Sequence, residues 1–152
     1  MQARNSMTRD VIVVPPAFPM AAAWRIMERE GIRHLPVVRA QALIGMLSDR
    51  DILAYGVRDK KGELHFAEDL LVNHAMTWTP LETCEVDTSV ALLARKMIEL
   101  KIDAIPVVRG LHLVGLVTST DLLRLLTEDN EARVLPFSFQ LREETFPMRA
   151  TA

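Results

Sequence analysis

The sequence of 152 residues contains one cysteine, few aromatic residues and no large excess of charge of either sign. The single Cys84 excludes a disulfide within the chain and fits a reducing compartment. The net charge of −2, with lysines and arginines scattered along the chain, argues against a nucleic-acid surface, which normally carries a basic stripe. The sequence also has no Walker A segment, no G-x-G-x-x-G and no G-x-S-x-G. An enzyme that acts on nucleotides is therefore the hypothesis with the least support.

One N-terminal segment imitates a secretion signal, because Arg4 and Arg9 precede the apolar run of residues 11–24. Asp10 interrupts the basic part of this segment, and three prolines interrupt the apolar part. Cleavage would also delete the first predicted strand, and the run is too short to span a bilayer. We therefore predict a cytoplasmic protein that is not secreted and has no membrane contact.

The chain carries one pattern twice, because residues 27–53 and 97–123 align without a gap at the spacing of 70 residues that separates Gly45 from Gly115. Both copies contain Pro-Val-Val-Arg, followed by Leu, Gly, Asp and Leu at equivalent positions. A Met-Thr pair upstream, at residues 7–8 and 76–77, repeats at 69 residues. The chain is long enough for one core but short for two independent domains, so we predict two repeats that share a core.

Each repeat is predicted to contain a strand, a helix, two strands and a second helix, in that order. Repeat one is predicted to contain a strand at 11–14, a helix from Pro19 to Gly31, strands at 35–38 and 43–48, and a helix at 49–55. Repeat two is predicted to contain a helix capped by Asp87 or Thr88 with an apolar face from Val90 to Ile98, strands at 105–108 and 113–117, and a helix at 121–126.

The segments outside the repeated pattern are predicted to be an exposed loop at 57–63, a short helix at 68–75 and an edge strand in the alternating segment 135–141. We predict an α+β fold in which residues 1–62 form repeat one with its N-terminal segment. Residues 63–126 form repeat two with the connecting helix, and residues 127–152 form a C-terminal tail.

The most distinctive motif is Gly45-x-x-Ser48-x-x-Asp51, which recurs as Gly115-x-x-Thr118-x-x-Asp121 where a strand leads into a helix. One interpretation is structural: a hydroxyl residue followed three positions later by an acid is close to a capping box. The other is functional, because a helix N-terminus attracts a phosphate and the hydroxyl adds a donor. The Asp could then accept the two hydroxyls of a ribose. The two interpretations are compatible.

The order strand, helix, I-x-x-(L/I)-P-V-V, then L-(I/V)-G-x-(L/V)-(S/T)-x-x-D-(I/L)-L resembles the CBS domain, and two such repeats in tandem resemble a Bateman module. The resemblance covers about residues 7–126 in two complete copies. It implies a β-α-β-β-α unit, pseudo-twofold pairing of the two units with helices packed on the sheets, and clefts between them that bind adenine nucleotides or S-adenosylmethionine.

In such modules each cleft takes its ribose-binding Asp and its hydroxyl from one repeat and its base-binding residues from the other. By resemblance, the main cleft is formed by Thr8, Val11, Ile12, Ile32, Arg33, His34, Thr118, Thr120 and Asp121. By the same resemblance, the second cleft is formed by Ser48, Arg50, Asp51, Thr77, Pro80, Leu81, Ile102 and Ala104.

The two clefts differ at one position just before the strands predicted at 35–38 and 105–108. This position is Arg33 in the main cleft and Asp103 in the second. A carboxylate repels a phosphate, whereas an arginine forms charge-assisted hydrogen bonds to it. We therefore expect the nucleotide in the main cleft, and Arg50 could compensate only partly in the second.

The leading hypothesis is a non-enzymatic regulatory module that binds an adenine nucleotide (AMP, ADP or ATP) and signals to an unidentified protein target. The alternatives are a ligand-independent dimerisation scaffold and a sensor of S-adenosylmethionine or NAD. No cofactor is expected beyond the regulatory ligand. His65, His74 and His112 show no metal-ligand spacing, so no metal site is expected either. Family modules often pair through their helices, so we expect a homodimer, and we favour a stand-alone chain that acts in trans.

Overall fold

The computed structural model describes residues 1–128, and its helices and strands confirm an α+β fold built from two repeats. The helices are α1 (Ala3–Ser6), α2 (Met20–Glu30), α3 (Asp49–Leu53), α4 (Val90–Leu100) and α5 (Ser119–Glu128), with a single 3₁₀ turn at Val72–His74. The strands are β1 (His34–Arg39), β2 (Ala42–Ser48), β3 (Val57–Arg58), β4 (Leu64–His65), β5 (Thr77–Trp78), β6 (Ala104–Arg109) and β7 (His112–Thr118).

The main sheet contains five strands, in which β1, β2, β7 and β6 are neighbours in that order and β5 pairs with β2. Each repeat contributes one antiparallel hairpin, and the two hairpins have the same register. His34 lies opposite Ser48 in β1 and β2, and Ala104 lies opposite Thr118 in β6 and β7. The residue at the start of one strand therefore faces the residue at the end of the next in both repeats.

The two hairpins meet where Ala42 of β2 pairs with His112 of β7. Here the N–H of Leu43 donates to the carbonyl of Leu111 (3.0 Å), and the N–H of Leu113 donates to the carbonyl of Gln41 (3.2 Å). Each of these two hydrogen bonds is the equivalent of the other when the two repeats are interchanged. The junction is therefore the point about which the repeats are related by pseudo-twofold symmetry.

The leading segment of each repeat packs on the other repeat. The N–H of Ala3 donates to the carbonyl of Thr88 (2.8 Å), and Thr8 forms an isolated bridge with Leu116 of β7. In the same way, Thr77 of β5 pairs with Met46 of β2. The predicted boundaries at residues 62 and 126 stay a prediction, and the packing of both leading segments crosses the boundary at residue 62.

The interior consists of two apolar clusters, one in each repeat, and each contains residues from the leading segment of the other. The first contains Val14, Met20, Leu35, Leu47 and Ile52 together with Val72 and Met76. The second contains Cys84, Leu93, Ile105 and Val117 together with Ala3. Full burial of a large aliphatic side chain contributes about 1.5–3 kcal/mol, so both repeats depend on this exchange.

The glycine of the repeated motif is required by the exchanged segments. A Cβ on Gly45 would lie 2.8 Å from the carbonyl oxygen of Thr77. A Cβ on Gly115 would lie 2.6 Å from Sδ of Met7 and 3.2 Å from the carbonyl oxygen of Thr8. The glycine thus allows a backbone from the other repeat to approach the strand closely.

One predicted strand and one predicted loop differ from the structure. The strand predicted at 11–14 is reduced to a parallel bridge between Val14 and Val37, because Pro15 and Pro16 follow directly and have no N–H to donate. The loop predicted at 57–63 is exposed, but its ends form the hairpin of β3 and β4, in which the carboxylate of Asp59 accepts the N–H of Lys61.

The helices also differ in their ends and extent. Residues 68–75 form only the 3₁₀ turn, because two of their N–H groups pair with repeat one: that of Val72 donates to the carbonyl of Phe18 (2.8 Å) and that of Asn73 to the carbonyl of Pro16 (3.0 Å). Helix α4 is capped by Ser89 and not by Asp87 or Thr88 as predicted. The hydroxyl of Thr88 instead accepts the N–H of Glu85 (3.1 Å). Helix α3 ends at Leu53 and α5 spans 119–128, differences of about two residues that are usual at helix ends. The strand predicted at 135–141 lies outside the described residues.

We expect Gly45→Ala to lower the free energy of unfolding by about 1–3 kcal/mol, because the added methyl meets the backbone of Thr77. Gly115→Ala is the matched control. Its nearest contact is the flexible Met7 side chain, so its loss should be smaller. Urea unfolding of both variants measures the difference, and equal losses would contradict this account of the motif glycine.

Candidate functional site

The nine residues predicted for the main cleft all line one cavity of about 340 Å³ between the two repeats. The cavity lies where the segment before β1 meets the junction of β7 with α5. Its volume is within the range of about 300–1,000 Å³ that is typical of small-molecule sites. The lining also includes residues that the sequence did not nominate: Asp10, Glu30, Gly31, Leu116 and Arg124.

The second cleft is a smaller cavity of about 250 Å³ at the pseudo-symmetric position. Seven of its eight predicted residues line it: Ser48, Arg50, Asp51, Thr77, Leu81, Ile102 and Ala104. The prediction for Pro80 is wrong: Pro80 does not line the cavity and is exposed to solvent. The residues that the sequence did not nominate there are His34, Met46, Asp49, Glu82, Lys101 and Pro106, and Asp103 is also present.

A capping box begins the second helix of each repeat, which confirms the structural interpretation of the motif. Oδ2 of Asp121 accepts the N–H of Thr118 (2.8 Å) and its hydroxyl (2.7 Å). The Thr118 hydroxyl oxygen in turn accepts the N–H of Asp121 (3.3 Å). Ser48 and Asp51 repeat these contacts at 2.8, 2.8 and 3.2 Å. The box holds the carboxylate in place while Oδ1 stays outside it.

The capping box changes the role expected for the motif hydroxyl. The proton of the Thr118 hydroxyl points to Asp121, so in this arrangement it is not a donor for a phosphate. Thr120 supplies a second hydroxyl to the main cleft, at an exposed position one residue before the buried Asp121. The donor role that the sequence suggested for Thr118 is therefore better suited to Thr120.

The residue before β1 and the residue before β6 each accept a backbone hydrogen bond from the second helix of their own repeat. The N–H of Asp49, the first residue of α3, donates to the carbonyl of Arg33 (2.9 Å). The N–H of Ser119, the first residue of α5, donates to the carbonyl of Asp103 (2.9 Å). Arg33 lines the main cleft while α3 borders the second, and Asp103 lines the second cleft while α5 borders the main one, so each of these hydrogen bonds joins a residue of one cleft to a helix of the other.

The two clefts differ in the charges that line them. The main cleft has Arg33 and Arg124 beside three acids, and Nη1 of Arg124 lies 3.8 Å from Oδ1 of Asp121. The second cleft has two cations beside four acids, and Nη2 of Arg50 lies 4.0 Å from Oδ2 of Asp103. Within the part of the chain that the structure describes, Arg33 forms no ion pair. Lys101 of the second cleft forms none among these residues either, but Arg50, the other cation of that cleft, lies next to Asp103.

His34 is the titratable group whose environment in the clefts is most perturbed. Burial lowers the pKa of its imidazole below the usual value of 6.5, and the positive charge of Arg33 lowers it further. The carboxylates of Asp49, Asp103 and Asp51 act in the opposite direction. The net lowering keeps His34 neutral at pH 7 in the free protein.

One of the residues missed by the sequence analysis carried a usable signal. Arg124 follows Asp121 by three positions on α5, and residues three apart lie on the same face of a helix. Asp10 and Glu30 carried none, because nothing in the repeated pattern marks them.

A group of potential metal ligands lies outside both clefts, on the hairpin of β3 and β4. Ligand atoms of Asp59, Glu63 and His65 lie within 4.8 Å of one another, and all three residues are exposed. Nε2 of His65 is 2.8 Å from Oδ2 of Asp59, and this hydrogen bond lowers the pKa of the Asp59 carboxyl. The hydrogen bond accounts for the grouping without a metal.

The family model of the CBS domain matches residues 3–58 and 69–128, one match for each repeat. The chain belongs to the CBS domain family. The resemblance found in the sequence is therefore confirmed, and the two repeats form a CBS domain pair. Proteins of this kind commonly bind adenosine ligands.

Known relatives and solved structures agree with this assignment. The chain is 32% identical over 141 residues to an inosine-5'-monophosphate dehydrogenase of Korarchaeum cryptofilum, covering 88% of this chain and 27% of that protein. It spans less than a third of the length of the first curated relatives it matches. The CBS domain pair of protein MJ0100, solved with 5'-methylthioadenosine and S-adenosyl-L-methionine, aligns with a TM-score of 0.71 and 25% identity, covering 86% of this chain and 98% of that one.

A second solved structure is a putative acetoin utilization protein, AcuB, from Vibrio cholerae. It aligns with a TM-score of 0.72 and 26% identity, covering 84% of this chain and 91% of that one. These neighbours consist almost entirely of the region matched here. Among residues 1–128, no helix is long and apolar enough to cross a membrane.

We expect the Cys84 thiol to be unreactive in the folded protein. It is buried in the second apolar cluster, and burial raises its pKa to about 11. At pH 8 it is therefore protonated, and the thiolate is the reactive form. Labelling with a disulfide reagent should be slow in buffer and complete within minutes in denaturant. Equal rates under the two conditions would contradict the described burial.

Proposed function

We propose that this CBS domain pair is a non-enzymatic regulatory module that binds an adenine nucleotide in the main cleft and signals its occupancy to a partner protein. The observation that carries the proposal is one cavity lined both by the fixed carboxylate of Asp121 and by the guanidinium of Arg33, which forms no ion pair among residues 1–128. A carboxylate suits ribose hydroxyls and an arginine suits phosphates. The two groups come from different repeats, so a nucleotide would bridge them.

The adenosine part of the ligand is held, in this proposal, by the buried side of the cleft. Asp121 is 9% exposed, and its Oδ1 stays outside the capping box, where it can accept ribose hydroxyls. Val11, Ile12 and Ile32 supply half-buried apolar surface for the base. The complex of MJ0100 with two adenosine derivatives supports this assignment of the adenosine part.

The phosphates are assigned to the exposed side of the cleft. Arg33 and Thr120 are both exposed and line the cavity, and Thr120 lies in the first turn of α5. A helix N-terminus of this kind favours a negative charge. The four acids around the second cleft oppose a phosphate there, so we assign AMP, ADP or ATP to the main cleft and a weaker affinity to the second.

Two alternatives each have one supporting observation. The capping boxes fully explain the hydroxyl and acid of the motif without a ligand, which favours a ligand-independent scaffold. The S-adenosyl-L-methionine in the MJ0100 complex favours a sensor of that compound, and NAD shares the same adenosine part.

The buried, unpaired thiol of Cys84 supports placing the protein in the cytoplasm.

We expect AMP, ADP or ATP to raise the melting temperature of the purified chain, because a ligand at about 100 times its Kd adds roughly 2.7 kcal/mol to the stability of the folded state. Asp121→Ala should abolish the shift through loss of the ribose acceptor. Asp51→Ala is the matched control, because it removes the same capping box from repeat one and should largely retain the shift.

Arg33→Ala should weaken ATP more than AMP, because the lost cation interacts with phosphates. Equal losses from Asp51→Ala and Asp121→Ala would overturn the ranking of the clefts. A shift with S-adenosylmethionine or NAD alone would favour the sensor of that compound. No shift with any of the five ligands would favour the scaffold.

Signalling requires that the ligand prefers one arrangement of the protein over another, and we propose that a homodimer provides these arrangements. The helices of repeat two expose large apolar side chains: Ile98 is 75%, Leu123 62% and Leu126 72% exposed. The position in repeat one that is equivalent to Ile98 is Glu28, so the two helix faces differ in polarity. The more apolar face of α4 and α5 is the proposed contact between protomers.

We expect Ile98→Glu to convert the dimer to a monomer at micromolar concentration, because it gives repeat two the charge that repeat one already carries. Glu28→Gln is the control and should leave the dimer intact. Light scattering after size exclusion measures both masses. A wild-type chain that is monomeric at all concentrations would contradict the proposed dimer.

A further inference from the structure

His34 lines both cavities, and it is the one residue that the linings of the two clefts share. Its equivalent in repeat two, Ala104, lines only the second cleft. The two residues differ in size, because the imidazole of His34 is larger than the methyl group of Ala104. The pseudo-symmetry of the fold is therefore broken at this position.

The charged groups that face His34 come from both clefts. Arg33 precedes it in the chain and lines the main cleft, whereas Asp49 and Asp51 of α3 and Asp103 before β6 line the second. Ser48, which lies opposite His34 across β1 and β2, also lines the second cleft. The cation that lowers the pKa of His34 thus lines the main cleft, which also holds Asp10, Glu30 and Asp121, and the three carboxylates that raise this pKa line the second cleft.

We propose that His34 couples the two clefts: it takes up a proton from solvent when an anionic ligand occupies the main cleft, and the imidazolium then faces the carboxylates of the second cleft. This inference rests on the proposed function. A phosphate bound at Arg33 neutralises the charge that disfavours the imidazolium, and it adds a negative charge nearby.

Two consequences follow for binding. Because the complex holds more protons than the free protein, the affinity of the main cleft for a phosphate ligand rises as the pH falls from 8 to 6. The second cleft also becomes less negative, so occupancy of the main cleft makes a second anionic ligand less unfavourable. The coupling is mutual, because linkage between two sites is reciprocal.

The experiment is isothermal titration of AMP into the wild-type chain and into His34→Ala, which places the residue of repeat two in repeat one. Both are measured at pH 6 and pH 8, and at pH 6.5 in two buffers of different ionisation enthalpy. At each pH, the ratio of the Kd of His34→Ala to the Kd of the wild type cancels the titration of the AMP phosphate itself. We expect this ratio to change by about three- to tenfold across the range, with a net proton uptake on binding that is larger in the wild type than in His34→Ala.

Two controls make the result specific to His34. His112→Gln changes an exposed histidine that lines neither cleft and should behave as the wild type. Adenosine, which lacks the phosphate, should bind without proton uptake at His34.

Each outcome decides the inference. AMP binding with the same pH dependence in the wild type and His34→Ala overturns the inference and leaves the proposed function standing, as does equal proton uptake with adenosine. Absence of binding of AMP, ADP and ATP to the wild type overturns both. A pH-dependent ratio that His112→Gln does not reproduce supports the coupling.

Discussion

The structure depends on the exchange of leading segments between the repeats. The backbone of residues 1–8 pairs with repeat two, and that of residues 70–78 pairs with repeat one. Because each segment also adds apolar residues to the other repeat's interior, neither repeat completes its interior alone. The close approach of these segments explains the motif glycines, and it places Thr8 and Thr77 at the edges of the two cavities.

The exchange produces two clefts with the same backbone and different side chains. The capping boxes are nearly identical in distance, so both clefts have a fixed carboxylate. The clefts differ at two equivalent pairs of positions. Arg33 of the main cleft corresponds to Asp103 of the second, and Thr120 of the main cleft corresponds to Arg50 of the second. In the second cleft Arg50 lies next to Asp103, whereas Arg33 of the main cleft forms no ion pair among the described residues. Symmetry of the fold therefore does not imply symmetry of binding.

The repeat and the strand and helix order could be predicted because the duplication shows each element twice, and the residues around both cavities followed from the resemblance to the CBS domain. The sequence could not show that Pro80 is exposed or that Arg124 joins the main cleft, because both depend on where neighbouring elements pack. The strand at 11–14 and the helix at 68–75 were wrong for a related reason. Residues 68–75 were drawn out of a helix by hydrogen bonds to the other repeat, and the strand at 11–14 was cut short by Pro15 and Pro16, which have no N–H to donate. Likewise, the length of His34 is visible in the sequence, but its position between two cavities is not.

The exchanged segments have a consequence for the origin of the chain. A single ancestral repeat with its own leading segment could not have packed that segment on itself, since the partner surface lies on the other copy. Two separate copies would have had to trade their leading segments, as in a domain-swapped pair. Gene fusion would then have joined partners that already folded together, and afterwards each half was free to diverge at positions such as 33 and 103 without loss of the shared interior.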